Sequence, residues 1–100
     1  MAEYPVSEYS EENLPERFDE MSEERKYFLL AWIAQNLIPR DTFNGHHSSY
    51  GLKHLIKNEY YTNGEFKGAM KKLGYKIKDE NELNWVFNIS SSSPALKQTL

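Results

Sequence analysis

The stretch from residue 62 to residue 89, TNGEFKGAMKKLGYKIKDENELNWVFNI, decides the fold because its hydrophobic period changes in the middle. Thr62 and Glu65 have the spacing of a capping box, which predicts a helix start. Apolar residues then recur at the intervals of one helix face: Phe66, Ala69, Met70 and Leu73. Gly74 is placed to end this helix in the left-handed conformation.

After Gly74 the period becomes two, which is typical of strands. Tyr75 and Ile77 alternate with lysines, and a polar turn follows at residues 79–82. The second alternating run carries its large apolar residues at every other position: Leu83, Trp85, Phe87 and Ile89. The two runs predict a β-hairpin with one buried face, to which Trp85 and Phe87 belong.

Upstream of this stretch the chain predicts further helices. Residues 14–21 have helical spacing, and Ser22 offers a cap for a strongly apolar helix from Tyr27 to Pro39. Residues 40–48 predict a loop, and a short helix follows up to Asn58. The order of elements predicts an α+β fold, a winged helix-turn-helix of three or four helices followed by a β-hairpin wing.

Length and composition set the class of protein. A chain of 100 residues with 39% hydrophobic residues predicts one domain, which we expect at residues 13–89 between an acidic flexible arm (1–12) and a Ser-rich tail (90–100). Because cysteine is absent, disulfides and cysteine chemistry are excluded. From the sequence we expect neither a membrane span nor a signal peptide, and we expect a cytoplasmic location.

Charge is segregated along the chain, although its net value is only −3. Residues 1–39 hold nine acids and three bases, whereas residues 40–78 hold eight bases and three acids. In a winged helix the third helix presents its polar face to a major groove, so we expect DNA binding through this helix and the wing. The residues predicted to contact DNA are Lys53, Lys57, Thr62, Asn63, Lys67, Lys71, Lys72, Lys76 and Lys78.

Two resemblances support this interpretation. Residues 60–89 resemble the winged-helix domain at the C-terminus of phage and plasmid primase-helicases, whose helix follows the pattern (T/S)xxxFxxxLxxxG(Y/F) before two strands. The matching positions are Thr62, Phe66, Met70, Gly74, Tyr75 and Trp85. The run SSYGLKHLIKNEYYTNGEFKGAMKKLGY, residues 48–75, resembles small uncharacterised proteins of Gram-positive phages and integrative elements. These resemblances imply a DNA-binding protein of a mobile genetic element.

The acidic N-terminus favours a different class of function, a protein–protein inhibitor or adaptor. A small acidic protein of a mobile element could occupy the basic channel of a host defence nuclease, as an anti-CRISPR does, or bind a replication protein. The carboxylates predicted to contact such a partner are Glu8, Glu11, Glu12, Glu16, Asp19 and Glu20. The simplest alternative is that these residues only solvate and cap the segment.

An enzymatic function is not expected. His46, His47 and His54 lack the spacing of a metal motif, even with Asp41 nearby, and Ser48 and Ser49 are better explained as helix caps. We therefore expect no catalytic residues, no metal and no cofactor.

Overall fold

The computed structural model describes residues 11–57 and 59–97. Its longest helix, α1, spans Glu23–Asn36. The helix begins at Ser22, whose hydroxyl accepts a hydrogen bond of 3.2 Å from the Arg25 amide, and Glu23 and Glu24 lie in the first turn, where the helix dipole favours acids. The predicted start at Ser22 is thus confirmed.

A separate 3-10 helix, Pro15–Glu20, precedes α1. Pro15 lies in its first turn, where the missing amide hydrogen costs nothing, and the helix ends when the Met21 amide donates to Phe18 O. Phe18 and Met21 are buried in the main hydrophobic core. The acidic N-terminal segment is therefore attached to the body of the protein by two apolar side chains.

Two further helices follow. Helix α2 is only five residues long, Ser49–Lys53, and helix α3 spans Asn63–Lys72. The predicted capping box of α3 is confirmed: Thr62 Oγ1 accepts from the Glu65 amide at 3.1 Å, and Glu65 Oε1 accepts from the Thr62 amide at 3.0 Å. Gly74 has φ +89°, so the predicted left-handed end of the helix is also confirmed.

The predicted winged helix-turn-helix is wrong. Within the described residues, β pairing is confined to three isolated antiparallel bridges, Pro39–Ile89, Ser48–Val86 and Ile77–Phe87, and no hairpin wing forms. Residues 85–89 form backbone hydrogen bonds with two segments of the chain instead of pairing with a single strand. On one side their carbonyls accept from residues of the 38–49 segment, and on the other the Lys78 amide donates to Val86 O at 3.0 Å.

A side chain interrupts what would be the hairpin ladder. The amide of Lys76 donates to Asn88 Oδ1 at 2.8 Å, and Asn88 Nδ2 donates to the carbonyl of Arg40. Asn88 thereby occupies the place where a second backbone rung would continue the pairing of Ile77 with Phe87. The period-two prediction holds for burial only in part: Trp85, Phe87 and Ile89 are buried, but Leu83 is exposed and the intervening Asn88 is buried as well.

The core differs around α1 from the one that the sequence predicts, which consists of Phe28, Leu30, Trp32, Leu55, Phe66, Met70, Leu73, Trp85 and Phe87. This helix buries Leu29 and Ile33, while Phe28, predicted as core, is exposed. Leu73, another predicted core residue, is also exposed. The remaining core consists of side chains from every described element: Phe18, Met21, Leu37, Leu52, Tyr61, Phe66, Ala69, Met70, Trp85, Phe87, Ile89 and Ala95.

Residues 90–97, predicted as solvated tail, lie against the body of the protein. Ser93 is buried, and its hydroxyl accepts from the Ile38 amide at 2.8 Å and donates to Ser90 O. The 3-10 helix Pro94–Lys97 then buries Ala95 near α1. Residues 1–10 of the predicted arm and residues 98–100 lie outside the described residues.

Candidate functional site

The face of α3 that we predicted to enter a DNA groove is covered by the chain itself. A Cβ at Gly64 would lie 2.3 Å from Leu14 O, and a Cβ at Gly68 would lie 2.3 Å from Pro15 O. Such distances are far inside van der Waals contact, so only glycine permits the N-terminal segment to lie this close. From the sequence alone, Gly64 and Gly68 are poor helix residues that would let a partner approach the α3 backbone closely. In the structure the close neighbour is residues 12–18 of the chain itself, so the approach of a partner stays a prediction.

Two of the predicted DNA contacts on α3 are buried as a result. Lys67 is 4% exposed; its Nζ donates to Leu83 O at 2.8 Å and lies 4.7 Å from the centre of the Trp85 ring. Burial lowers the pKa of Lys67. Asn63 Nδ2 faces three acceptors, Asn13 Oδ1, Leu83 O and Asn84 Oδ1. Both side chains hold the 83–85 segment against α3 and are turned away from solvent.

Some of the other predicted DNA contacts have structural roles, and the rest are exposed to solvent. Thr62 is half-buried and serves as the α3 cap, and Lys53 is buried at the last position of α2. Lys71 is exposed but its Nζ lies 3.1 Å from Glu80 Oε1, so its charge is partly neutralised. The remaining four are exposed: Lys57, Lys72, Lys76 and Lys78.

The carboxylates predicted to meet a basic partner are accessible where the structure describes them. Glu11, Glu12, Glu16, Asp19 and Glu20 are all exposed, and Glu8 lies outside the described residues. Arg17 pairs with two of them, at 2.7 Å to Glu20 Oε1 and 3.6 Å to Glu11 Oε1. These acids lie on a segment whose other side is anchored in the core by Phe18.

Sequence reasoning missed the aromatic side chains that α1 leaves in solvent. Tyr27 is 69% exposed and Phe28 is 56% exposed, with their rings in edge contact at 6.1 Å. Phe28 and Trp32 also line a groove of about 290 Å³ with Ile56 and Tyr61. From Tyr27 to Ala34 the helix is apolar on all sides, so periodicity alone could not indicate which side would face the core.

Arg25 holds one wall of this groove in place. Its guanidinium donates to Glu59 Oε2 at 2.9 Å, to Glu65 Oε2 at 3.2 Å and to Tyr60 O at 2.6 Å, and it lies over the Tyr61 ring. The carboxylates of Glu59 and Glu65 raise the pKa of Arg25 against the opposing effect of burial, so the group stays charged. This network joins α1, the 59–61 segment and the start of α3.

Other classes of site receive no support from geometry. Among residues 11–57 and 59–97, no group of three or more metal-ligating side chains is brought together. No helix in the same residues is long and apolar enough to cross a membrane. No protein-family profile, curated protein or solved structure matches the chain, so its resemblance to phage and plasmid proteins stays a prediction.

Proposed function

We propose that the protein is a protein-binding module whose contact surface is the exposed side of α1. The observation that carries this proposal is the exposure of Tyr27 and Phe28 beside the groove of Trp32 and Ile56. Aromatic side chains are costly to leave in water and are enriched at the centres of protein interfaces. A neighbouring groove gives a partner's apolar side chain a place to insert.

The charge around this surface determines the kind of partner. Glu23 and Glu24 lie four residues before Tyr27 and Phe28, hence on the same side of α1, and all four are exposed. The acids of residues 11–20 immediately precede them in the chain. A complementary partner would present apolar side chains surrounded by lysines and arginines, and its association would weaken with salt.

This chemistry favours the inhibitor or adaptor class over a groove-reading DNA-binding domain. Nucleases and replication proteins carry basic surfaces for nucleic acid, and an acidic module with an apolar centre is complementary to such a surface. DNA binding by recognition helix and wing is not proposed, because the wing is missing and the α3 face is covered. DNA binding by the exposed lysines stays a prediction.

A comparative pull-down tests the proposal. Wild-type protein, Phe28→Ser and Glu24→Lys would be immobilised and exposed to nuclease-treated extract of a Gram-positive bacterium, with Phe43→Ser as the control for an exposed aromatic residue outside α1. We expect mass spectrometry to identify a partner that wild type and the control retain, and that both α1 variants lose. Equal capture by Phe28→Ser would contradict the proposal, as would a partner retained only in the presence of nucleic acid.

A further inference from the structure

A second surface is a cleft of about 370 Å³ between α2, the residues before α3 and the N-terminal segment. Two tyrosines stand in it, Tyr50 at 54% exposure and Tyr60 at 65%. Between them lies Lys53, which is only 5% exposed; its Nζ is 5.1 Å from the Tyr50 ring centre and 4.4 Å from that of Tyr60. The cleft thus combines one buried cation with two accessible aromatic rings.

Lys53 has no anionic partner in the part of the chain that the structure describes. Within residues 11–57 and 59–97, no carboxylate lies within ion-pair distance of its Nζ and no oxygen accepts a hydrogen bond from it, in contrast to Lys67, which donates to Leu83 O. Burial lowers the pKa of Lys53, while the carboxylate of Glu12 in the same cleft raises it. A buried cation paired only with ring faces would gain free energy from an anion.

Carboxamides complete the lining. Asn13, Asn63 and Asn84 all border the cleft, and the amide groups of Asn13 and Asn84 both accept from Asn63 Nδ2, at 2.6 and 3.0 Å. Asn63 Oδ1 is buried and finds no hydrogen-bond partner among the residues that the structure describes. Carboxamides carry a donor and an acceptor side by side, which is the arrangement that recognises the edge of a nucleobase.

We propose that this cleft binds single-stranded nucleic acid, with a base stacked on Tyr50 or Tyr60 and a phosphodiester held by Lys53. Stacking on aromatic rings combined with a cation for the backbone is the chemistry by which single strands are bound. A duplex would not fit, because its bases are already stacked and their faces are inaccessible to tyrosine. The carboxylate of Glu12 opposes a second negative charge, so a phosphodiester with one charge suits the cleft better than a terminal phosphate with two.

Fluorescence anisotropy with a labelled ten-nucleotide single strand tests this proposal at low salt. We expect wild type and Lys53→Arg to bind, whereas Lys53→Met and Tyr60→Ala each weaken binding about tenfold. Phe43→Ala and Lys97→Met are matched controls, since both residues are exposed and neither borders the cleft, and they should bind as wild type does. Thermal unfolding of each variant shows whether it is folded.

Several results would overturn the proposal. These are an absence of single-strand binding by wild type, equal affinity for the matching duplex, and unchanged affinity of folded Lys53→Met and Tyr60→Ala. Competition by inorganic phosphate or a free mononucleotide as effective as that by the unlabelled strand would also contradict it, since the site would then select only an anion or a terminal phosphate. The Phe28→Ser pull-down reports on α1 alone, so failure here leaves the proposed protein-binding function to its own test.

Discussion

At the scale of single residues, the two glycines of α3 show how a local signal can be correct while its functional meaning is not. Gly64 and Gly68 are poor helix formers in a helix that is otherwise well capped, so a close backbone approach could be predicted from sequence. The identity of the approaching segment could not, because residues 12–18 are some 50 positions away in the chain. Periodicity reports on one helix at a time and carries no information about such a distant neighbour.

Replacing Gly68 by alanine should destabilise the protein despite the better helix propensity of alanine. The new Cβ would lie 2.3 Å from Pro15 O and 2.5 Å from the Phe18 Cβ, so backbone must move, at a cost of about 1–3 kcal/mol. Gly51→Ala in α2 is the control, since its Cβ meets nothing within 4 Å and should stabilise by about 0.5–1 kcal/mol. Urea unfolding measures both, and equal stabilisation by the two substitutions would contradict the close approach.

The burial of Lys67 predicts a specific dependence of stability on pH. Its pKa is lowered in the folded state from the usual 10.5, so in the window between the lowered value and 10.5 the unfolded chain binds more protons than the folded one. The free energy of unfolding of wild type should therefore rise with pH through this window, relative to that of Lys67→Met. Urea unfolding of both proteins between pH 8 and pH 10.5 checks the sign; a constant difference would mean that the Lys67 pKa is not lowered.

At the scale of elements, prediction succeeded where the deciding interactions are local. The cap of α1, the capping box of α3 and its glycine end depend on residues within a few positions of each other, and all three were read correctly. The hairpin failed because residues 85–89 find their main partners in the 38–49 loop, which has no strand pattern. The exposed side of α1 could not be predicted either, because every side of that helix is apolar between Tyr27 and Ala34 and no polar side indicates which residues face solvent.

The α3 capping box should contribute measurably to stability. Thr62→Ala removes the acceptor of the Glu65 amide and should lower the free energy of unfolding by about 0.5–2 kcal/mol. Ser48→Ala is the matched control, because Ser48 occupies the same position at α2 but its side chain makes no capping hydrogen bond. Chemical denaturation of the pair should show a loss only for Thr62→Ala, and equal losses would show that the hydroxyl bond is not the cause.

At the scale of the whole molecule, the acidic segment covers α3 and directly precedes α1 in the chain. Phe18 contacts both helices: it is buried in the core, packs against Gly68 of α3 and lies beneath the Lys26 ammonium of α1 at 5.6 Å. Charge segregation along the sequence predicts two separate binding regions, a basic one for DNA and an acidic one for a protein. In the structure the acidic segment lies on the basic helix, so these two regions are in contact.

Phe18→Ala should therefore destabilise the whole fold and not merely release an arm. Loss of a buried phenylalanine side chain costs about 3–5 kcal/mol when the site cannot collapse. Phe43→Ala is the control, because the Phe43 side chain is exposed, and it should leave the urea midpoint nearly unchanged. A loss below about 1 kcal/mol for Phe18→Ala would mean that residues 11–20 detach readily. The glycine-lined face of α3 would then be open to solvent. Stronger binding of duplex DNA by Phe18→Ala than by wild type would mean that this face can contact DNA once the acidic segment has moved away.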